Sequence, residues 1–436
     1  MKRRGYVVDC RISLTGMPFD IDIIWLAQRG SEQGWERGCP CFPLWFVGEK
    51  EFADTGKKYY LCDNIMGFKR SVMIEQVEIK NYKSIKNLIL PLNKLNVLIG
   101  SNGAGKSNFI SFFELTKAIY EQRFGSYTLS KGGIDNLLYQ GRKVSSFIEG
   151  LLDFDNNNAF FYEIKPAQSN KGYIEKTGDC FNNQHKPGKN YAEWYQTLWD
   201  SAVEESSLMQ NPRWRAGYLK KYLSSFVVYH FHDTSATSPM RGDCNINDNA
   251  FLRDNGSNLA AYLYFLMQND EKAFRLIEGV VRSIAPYFKC FKLRPDANDG
   301  KRIRLEWEER DSDMYLDGYS FSDGTLRFIA LATLLLQSKV PEVIIVDEPE
   351  LGLHPAAINK LAELVKAASV KSQIILSTQS TNLVNCFEID DIIVVDRDEN
   401  QSVFRHLSKE ELEIWLNDYN MSISDLWEKN MIGGQL

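Results

Sequence analysis

Gly100-Ser101-Asn102-Gly103-Ala104-Gly105-Lys106-Ser107 carries glycines, a lysine and a hydroxyl at the spacing G-x-x-x-x-G-K-S. Those residue types suit one task. Glycines let backbone N–H groups close around a chain of phosphates, and the N-terminus of a following helix adds a favourable dipole. Lys106 would reach the β- and γ-phosphates, and the Ser107 hydroxyl would hold Mg²⁺. Asn102, Gly103, Ala104, Gly105 and Asn108 complete the candidate cradle. The expected cofactors are ATP and Mg²⁺. A second cluster lies far downstream. Val343-Ile344-Ile345-Val346-Asp347-Glu348 is four apolar residues followed by two carboxylates. A parallel strand buried on both faces is continuously apolar, and its carboxyl end is where α/β sheets place ligands. Asp347 would bind Mg²⁺, and Glu348 would polarise an attacking water as general base.

Each cluster needs an element to present it. Leu95-Asn96-Val97-Leu98-Ile99 reads as a buried strand before the glycine loop. Phe109, Phe112, Phe113 and Leu115 fall at helical spacing after it. Ile74 to Tyr82 alternates as a strand does, and Leu88-Ile89-Leu90 is a further strand. The spacing of Trp194, Leu198 and Val203, then Trp214, Tyr218 and Tyr222, predicts helix over much of 191–223. Phe226 to Phe231 reads as a short buried strand, and 258–285 as helix. Four segments follow: 1–72 as an extension or small accessory module, 73–166 with the glycine loop, 167–300 as a mainly helical insert, and 301–436 with the carboxylate pair. The insert lacks the sustained heptads of a coiled-coil arm, so it is expected to be a compact lobe.

The chain has 436 residues, 44% hydrophobic and 25% charged, with net charge −6. Those are ordinary globular values without a global basic footprint. Nucleic-acid contact therefore needs a local patch. Arg142-Lys143, Arg213 with Arg215, Lys220-Lys221, and Lys301-Arg302 with Arg304 are candidates, and a solvated helix face explains the middle groups equally well. No run approaches the roughly 18 apolar residues of a membrane span. The eight cysteines are scattered, Cys39-Pro40-Cys41 excepted, which points to reduced thiols and a cytoplasmic setting. His230, His232 and Asp233 could hold a metal if a third ligand joined them; a polar strand end is the competing reading.

Phe321-Ser322-Asp323-Gly324-Thr325 resembles the signature motif of ABC-type ATPases. Glu350-Leu351-Gly352-Leu353-His354-Pro355 stands where that superfamily has its D-loop. Ile374 to Ser380 occupies the place of its switch-histidine strand, with Gln379 where many relatives have His. Glutamine donates a hydrogen bond but takes up no proton at neutral pH. Lys80-Asn81-Tyr82-Lys83-Ser84-Ile85 resembles the first-strand motif of RecF- and SMC-like ATPases, where it touches the nucleotide. Gln140 is the candidate Q-loop glutamine, linking Mg²⁺ to the insert.

From 73 to 436 the chain is thus similar to RecF/SMC-like ABC-type ATPases, relatives of the OLD and Septu defence ATPases. The resemblance implies a P-loop α/β head and an ATP-dependent head-to-tail homodimer. Ser322, Gly324 and His354 of one chain would meet the nucleotide on the other; Lys83, Ser84, Lys106 and Gln379 would act on their own. It implies a switch that senses or clamps DNA or RNA and licenses a separate effector such as a nuclease, in anti-phage defence or DNA repair. An OLD-type protein continues into a TOPRIM nuclease; the room for one is missing here, so the effector is expected on another polypeptide. A scaffold with little turnover that holds an effector inactive is the alternative. A transporter ATPase lacks the Asn81-Tyr82-Lys83-Ser84 phrase, and a small-molecule kinase needs no signature.

Overall fold

The computed structural model describes residues 47–51, 58–62, 72–155, 157–182, 191–312, 314–413 and 421–434, with Trp415 and Tyr419. Contacts divide the chain into two units, Met1–Arg70 and Ser71–Leu436. In the first, β1 (Val47–Glu51) pairs antiparallel with β2 (Lys58–Cys62). The Cys39-Pro40-Cys41 motif lies outside the described residues.

The second unit opens with β3 (Ile74–Tyr82), β4 (Ile85–Pro91) and β5 (Leu95–Ile99), then α1 (Lys106–Tyr120) and α2 (Phe124–Ser130). Four strands follow: β6 (Ile148–Phe154), β7 (Asn158–Pro166), β8 (Gly172–Phe181) and β9 (Tyr195–Val203). After α3 (Trp214–Ser225) come β10 (Phe226–Tyr229), β11 (Cys244–Asn245), α4 (Leu259–Asn269) and α5 (Glu271–Ile284). Then β12 (Phe288–Phe291), β13 (Arg302–Ile303), β14 (Glu306–Glu309) and β15 (Tyr315–Asp317) lead into α6 (Asp323–Leu336). The last part holds β16 (Val343–Asp347), α7 (Pro355–Ser369), β17 (Gln373–Thr378), α8 (Thr381–Val384), β18 (Ile392–Asp398), β19 (Gln401–His406), α9 (Lys409–Glu413) and α10 (Ile423–Glu428).

Two six-stranded sheets organise the unit. One has the order β10-β16-β17-β5-β18-β19 and is parallel except for β19. Every residue of β5 and β17 is buried, as are Val343 to Val346 of β16, which is why these runs lack alternation. The other sheet, β4-β3-β6-β7-β8-β9, is antiparallel. Helix α1 lies between the sheets. Its Phe109, Phe112 and Phe113 share one core with Val77, Ile79 and Tyr162 of the antiparallel sheet and with Ile345 and Ile375 of the parallel one. The other face of the parallel sheet is covered by α4, α5, α6 and α7, whose apolar residues pack with Val97, Ile344 and Leu376. The glycine loop and the carboxylate pair therefore share one end of one sheet.

The segment expected to be helical over 191–223 differs from that reading. Tyr195–Val203 is β9, hydrogen-bonded along β8, and helix begins only at Trp214. Trp199 lies against Phe160 on the sheet, with ring centroids 6.3 Å apart. The open edge of β8 outweighs a spacing that fits a helix only at three positions. The stretch 167–300 also supplies strands to both sheets: β8 and β9 extend the antiparallel one, and β10 pairs with β16.

Trp307 on β14 anchors the three-stranded sheet β12-β14-β15 beneath α6. It is 1% exposed and stacks on Phe321, centroids 4.5 Å apart at 16°. Trp307→Ala should lower unfolding free energy by about 3–5 kcal/mol through loss of buried surface and an unfilled cavity. A urea melt with unchanged slope and a lower midpoint would show it.

Candidate functional site

The glycine loop turns between β5 and α1 through backbone that L side chains avoid. Gly103 has φ +81° and Gly105 φ +123°. A Cβ on Gly105 would lie 2.0 Å from Ser402 Oγ, and one on Gly100 would lie 2.3 Å from the Val395 carbonyl oxygen. Glycine is thus required both by conformation and by the close approach of β18 and β19. Lys106 is 4% exposed. Its Nζ donates to the carbonyls of Gly100 (2.6 Å) and Ser101 (3.0 Å). Burial pulls its pKa down, opposed by the carboxylates Glu348, Asp347 and Glu350. Ser107 at the start of α1 is exposed.

The register of β16 on β17 sets Asp347 opposite Ser377, whose Oγ donates to Asp347 Oδ1. Glu348 follows with φ +42°, a rare conformation for a side chain of its size. Its N–H donates to the Ser377 carbonyl (3.1 Å) and hydroxyl (3.2 Å), which holds the turn. Gln379 Nε2 donates to Glu348 Oε1. Glu350, 8% exposed, accepts from Thr378 Oγ1 (2.5 Å) and from the Gln379 N–H (3.2 Å), while its Oε2 has no hydrogen-bond partner. Burial raises the Glu350 carboxyl. Ser377 and Glu350 lie within the switch-strand and D-loop phrases, but neither was singled out there as a site residue.

Ser322 caps α6, its Oγ accepting from the Thr325 N–H (3.2 Å). Ser322 and Asp323 are exposed. A Cβ on Gly324 would lie 2.4 Å from the Gly352 carbonyl, so the signature loop and the D-loop touch backbone to side. Two buried arginines brace this loop, and nothing in the sequence marked them. Arg327 Nε and Nη2 donate to the Phe231 and His232 carbonyls, both at 2.9 Å. Arg241 reaches the loop from the other side, pairing with Asp323 at 2.7 Å. His354 is exposed and caps α7, Nδ1 accepting from the Ala356 N–H at 3.3 Å.

Ser84 joins the cradle from the β3–β4 turn. Asn108 Nδ2 donates to Ser84 Oγ (2.7 Å), as does Ser402 Oγ (2.7 Å). Lys83, at φ +48°, donates to Ser111 Oγ (2.8 Å) on α1. Gln140 is exposed at φ +52° and donates to the hydroxyl of its neighbour Tyr139 (3.0 Å). That loop lies against β3, where the Tyr139 N–H donates to the Asn81 carbonyl. The residue that continues the strand beside β16 is instead His230, one past the Tyr229–Val346 pair.

His230 does not assemble a metal site with His232 and Asp233. Its Nε2 pairs with Glu114 on α1 at 2.8 Å, and Asp233 accepts from the Ser235 N–H (3.1 Å) and hydroxyl (2.7 Å). No group of three His, Cys, Asp or Glu side chains suited to a metal occurs among the described residues. Much of the local basic charge is also engaged. Arg304 lies 3.3 Å from Asp243 and 3.6 Å from Asp296, Arg302 3.6 Å from Asp243, and Arg142 2.6 Å from Asp135. Arg215 stacks over Tyr195 at 4.5 Å. No helix among the described residues is long and apolar enough to cross a membrane.

The Glu114–His230 pair makes a pH-dependent tie between α1 and the end of β10. Burial raises the Glu114 carboxyl, but hydrogen bonds from His230 and Lys131 overcome it and hold the pKa at about 2. The hydrogen bond to Glu114 raises His230 above 6.5, against burial and with help from Asp254 and Asp347. The Glu114 contribution is present above 4.5 and lost as pH falls toward 2. The His230 contribution is full below 6.5 and lost as pH rises through its raised value. Glu114→Gln should therefore cost most between pH 4.5 and 6.5. The half-exposed imidazole limits that cost to about 1 kcal/mol. Denaturant melts of both proteins across pH 4 to 9 would show the difference shrinking at each end.

A family described as "AAA domain, putative AbiEii toxin, Type IV TA system" matches residues 95–385, from β5 through the turn after α8. The Old nuclease of Escherichia phage P2 is 23% identical over 386 residues, covering 79% of this chain and 62% of that protein. The chain thus spans less than two thirds of that relative's length. Two solved structures share the fold. One is a SmcHead bound to the C-winged helix domain of ScpA: TM-score 0.54, 16% identity, 78% of this chain and 99% of that one. The other is a Smc head domain with an extended coiled coil, bound to the C-terminal domain of ScpA derived from Pyrococcus furiosus: TM-score 0.50, 15% identity, 80% and 100%. The fold is a P-loop NTPase head of the ABC type, like that of the two Smc heads. With about two thirds of its length matched, both phosphate-loop and carboxylate motifs included, the chain belongs to the AAA domain family of the putative AbiEii toxins.

Proposed function

We propose that this chain binds ATP with Mg²⁺ and hydrolyses it as a head-to-tail dimer, a switch that senses or clamps nucleic acid and licenses a separate effector. The single observation that carries the reading is the end of the parallel sheet, where Asp347 ends β16, Glu348 and Gln379 follow β16 and β17, and Lys106 opens α1 after the β5 loop. The residues fit the cofactor. Among the described residues the buried Lys106 ammonium donates to the loop carbonyls of Gly100 and Ser101, which phosphate oxygens can replace. Ser107 and Asp347 are hard oxygen donors of the kind Mg²⁺ takes.

Bound ATP·Mg²⁺ supplies the phosphoanhydride bond and the charge neutralisation of phosphoryl transfer. The chain's residues do the rest. Lys106 and the loop N–H groups orient the β- and γ-phosphates. Glu348, held at its strained turn by Ser377, takes a proton from water. Gln379 donates a hydrogen bond toward the γ-phosphate and carries no proton away. The exposed Ser322 and the partly exposed Gly324 suit a nucleotide on a second copy; the interface is then two-fold and self-complementary. Lys83, Ser84, Asn102, Gly103, Ala104 and Asn108 serve the same pocket, and His354 the partner's. Resemblance to a phage nuclease supports a role in anti-phage defence or DNA repair, with a nuclease as effector and a cytoplasmic setting. A second reading has one observation in its favour. Gln379 occupies the Glu348 carboxylate, which would keep turnover low and suit a scaffold that holds an effector inactive.

Turnover and mass in solution for the wild type and Glu348→Gln, with and without DNA, test both. Loss of the general base should lower turnover by about 10²–10⁴-fold. The variant should accumulate as an ATP-bound dimer, and DNA should stimulate the wild type. Negligible wild-type turnover with ATP-dependent dimers would favour the scaffold. A monomer whose turnover the substitution leaves unchanged would end the sandwich reading.

A further inference from the structure

The signature loop is tied to the body of the protein by one buried arginine that no motif accounts for. Arg241 is 5% exposed and lies some eighty residues upstream of the loop. Its Nε donates to the Thr234 carbonyl (2.9 Å). Its Nη1 donates to the carbonyls of Gly318 (2.6 Å), Tyr319 (3.3 Å) and Phe321 (3.0 Å). Its Nη2 pairs with Asp323 Oδ1 at 2.7 Å. The planar fork of a guanidinium carries its donors in fixed directions, so each of these bonds constrains the others. The partners are the backbone on one side of Ser322 and the side chain on the other. Asp323 is itself 67% exposed, so the pair anchors an outward-facing loop to an inward-facing cation. A Cβ on Gly318 would lie 3.4 Å from the Arg241 Cα, which shows how closely the two backbones approach.

None of these bonds goes to residues 100–108. Among the described residues the Lys106 ammonium donates to the Gly100 and Ser101 carbonyls. Arg241 therefore shapes the outward loop without touching the chain's own phosphate cradle.

We propose that Arg241 is a positioning residue for the site completed in trans: it fixes Ser322 and Gly324 for nucleotide held by the other copy. It takes no part in holding nucleotide on its own chain. This rests on the head-to-tail dimer proposed above. Removal of Arg241 leaves the cradle able to bind ATP and leaves the loop unable to complete the neighbouring site.

The test mixes two full-length variants, Arg241→Met and Lys106→Ala. Each alone should turn over ATP at least about tenfold more slowly than wild type, for different reasons. Arg241→Met should bind a fluorescent ATP analogue within about twofold of wild type, since its phosphate contacts are intact. In a mixed dimer, one site combines an intact cradle from the first chain with an intact signature from the second. Equal mixing should restore turnover toward about one quarter of wild type, because half the dimers are mixed and each holds one whole site. A merely structural role would not produce rescue by a chain that itself lacks Lys106. Arg241→Lys keeps the charge and loses the fork, and should fall between.

Two results overturn the proposal: weakened ATP binding by folded Arg241→Met, or no rescue in its mixture while a control mixture of Ser322→Arg with Lys106→Ala recovers. If the control mixture also fails, the head-to-tail reading itself falls and takes this inference with it. Should Arg241→Met not fold, Asp323→Ala removes only the Nη2 pair. It must then show lower turnover, unchanged ATP affinity and rescue by Lys106→Ala, or the proposal is wrong.

Discussion

Parallel register is the constraint on which the rest of this molecule depends. Ile99 lies opposite Thr378, and Ser377 opposite Asp347, so three strands end at one level. One residue beyond that level the chain begins the glycine loop, the Glu348 turn and the Gln379 turn. A slip of one residue in any strand would send every side chain to the other face. The slip is opposed by burial on both faces: α1 with the antiparallel sheet on one side, α4 to α7 on the other. Each fully buried aliphatic side chain contributes about 1.5–3 kcal/mol relative to exposure, and a displaced strand would forfeit several.

Against that rigid background the site holds conformations that a stability criterion alone would not choose. Glu348 has φ +42°, and Glu350 keeps a carboxylate oxygen without a hydrogen bond in a buried place. Such features cost of order 1–3 kcal/mol each and persist where surrounding structure over-determines them. Here the determinants are Ser377, Thr378 and the Gln379 N–H, all from β17 and its end. The same strand thus positions both carboxylates, one directed at Gln379 and one behind it. Preorganisation of this kind keeps polar groups oriented before any ligand arrives.

Legibility in the sequence followed the locality of the signal. The glycine loop, β5 and β16 were readable because each is a contiguous phrase whose chemistry is complete in itself. The fold class followed from them. The strand β9 was not readable, since Trp194, Leu198 and Val203 satisfy a helical spacing and only the free edge of β8 decides otherwise. Nor did the sequence indicate that the turn of Gln140 lies against β3 through the Tyr139–Asn81 bond, or that His230 follows the strand beside β16. Arg241 and Arg327 were invisible because most of their partners are backbone carbonyls, which leave no residue pattern. The partners of one basic cluster were likewise not legible: Asp243 and Asp296, beside Arg302 and Arg304, are near in space and scattered in the chain.

The strand order has a further meaning for the chain as it leaves the ribosome. Strand β5 is made early, yet its sheet neighbours are β17 and β18, which begin at Gln373 and Ile392. Until those segments emerge, this fully buried strand has no partner on either side, and the loop it carries has no walls. Closure over so many residues is slow, and an unpaired apolar edge invites association with other chains. Its early neighbours β3 and β4 can form the antiparallel hairpin at once, with α1 as a first apolar cover. The nucleotide pocket is therefore one of the last things this chain can make, and a shortened chain that lacks β17 or β18 would carry the full glycine motif and no site.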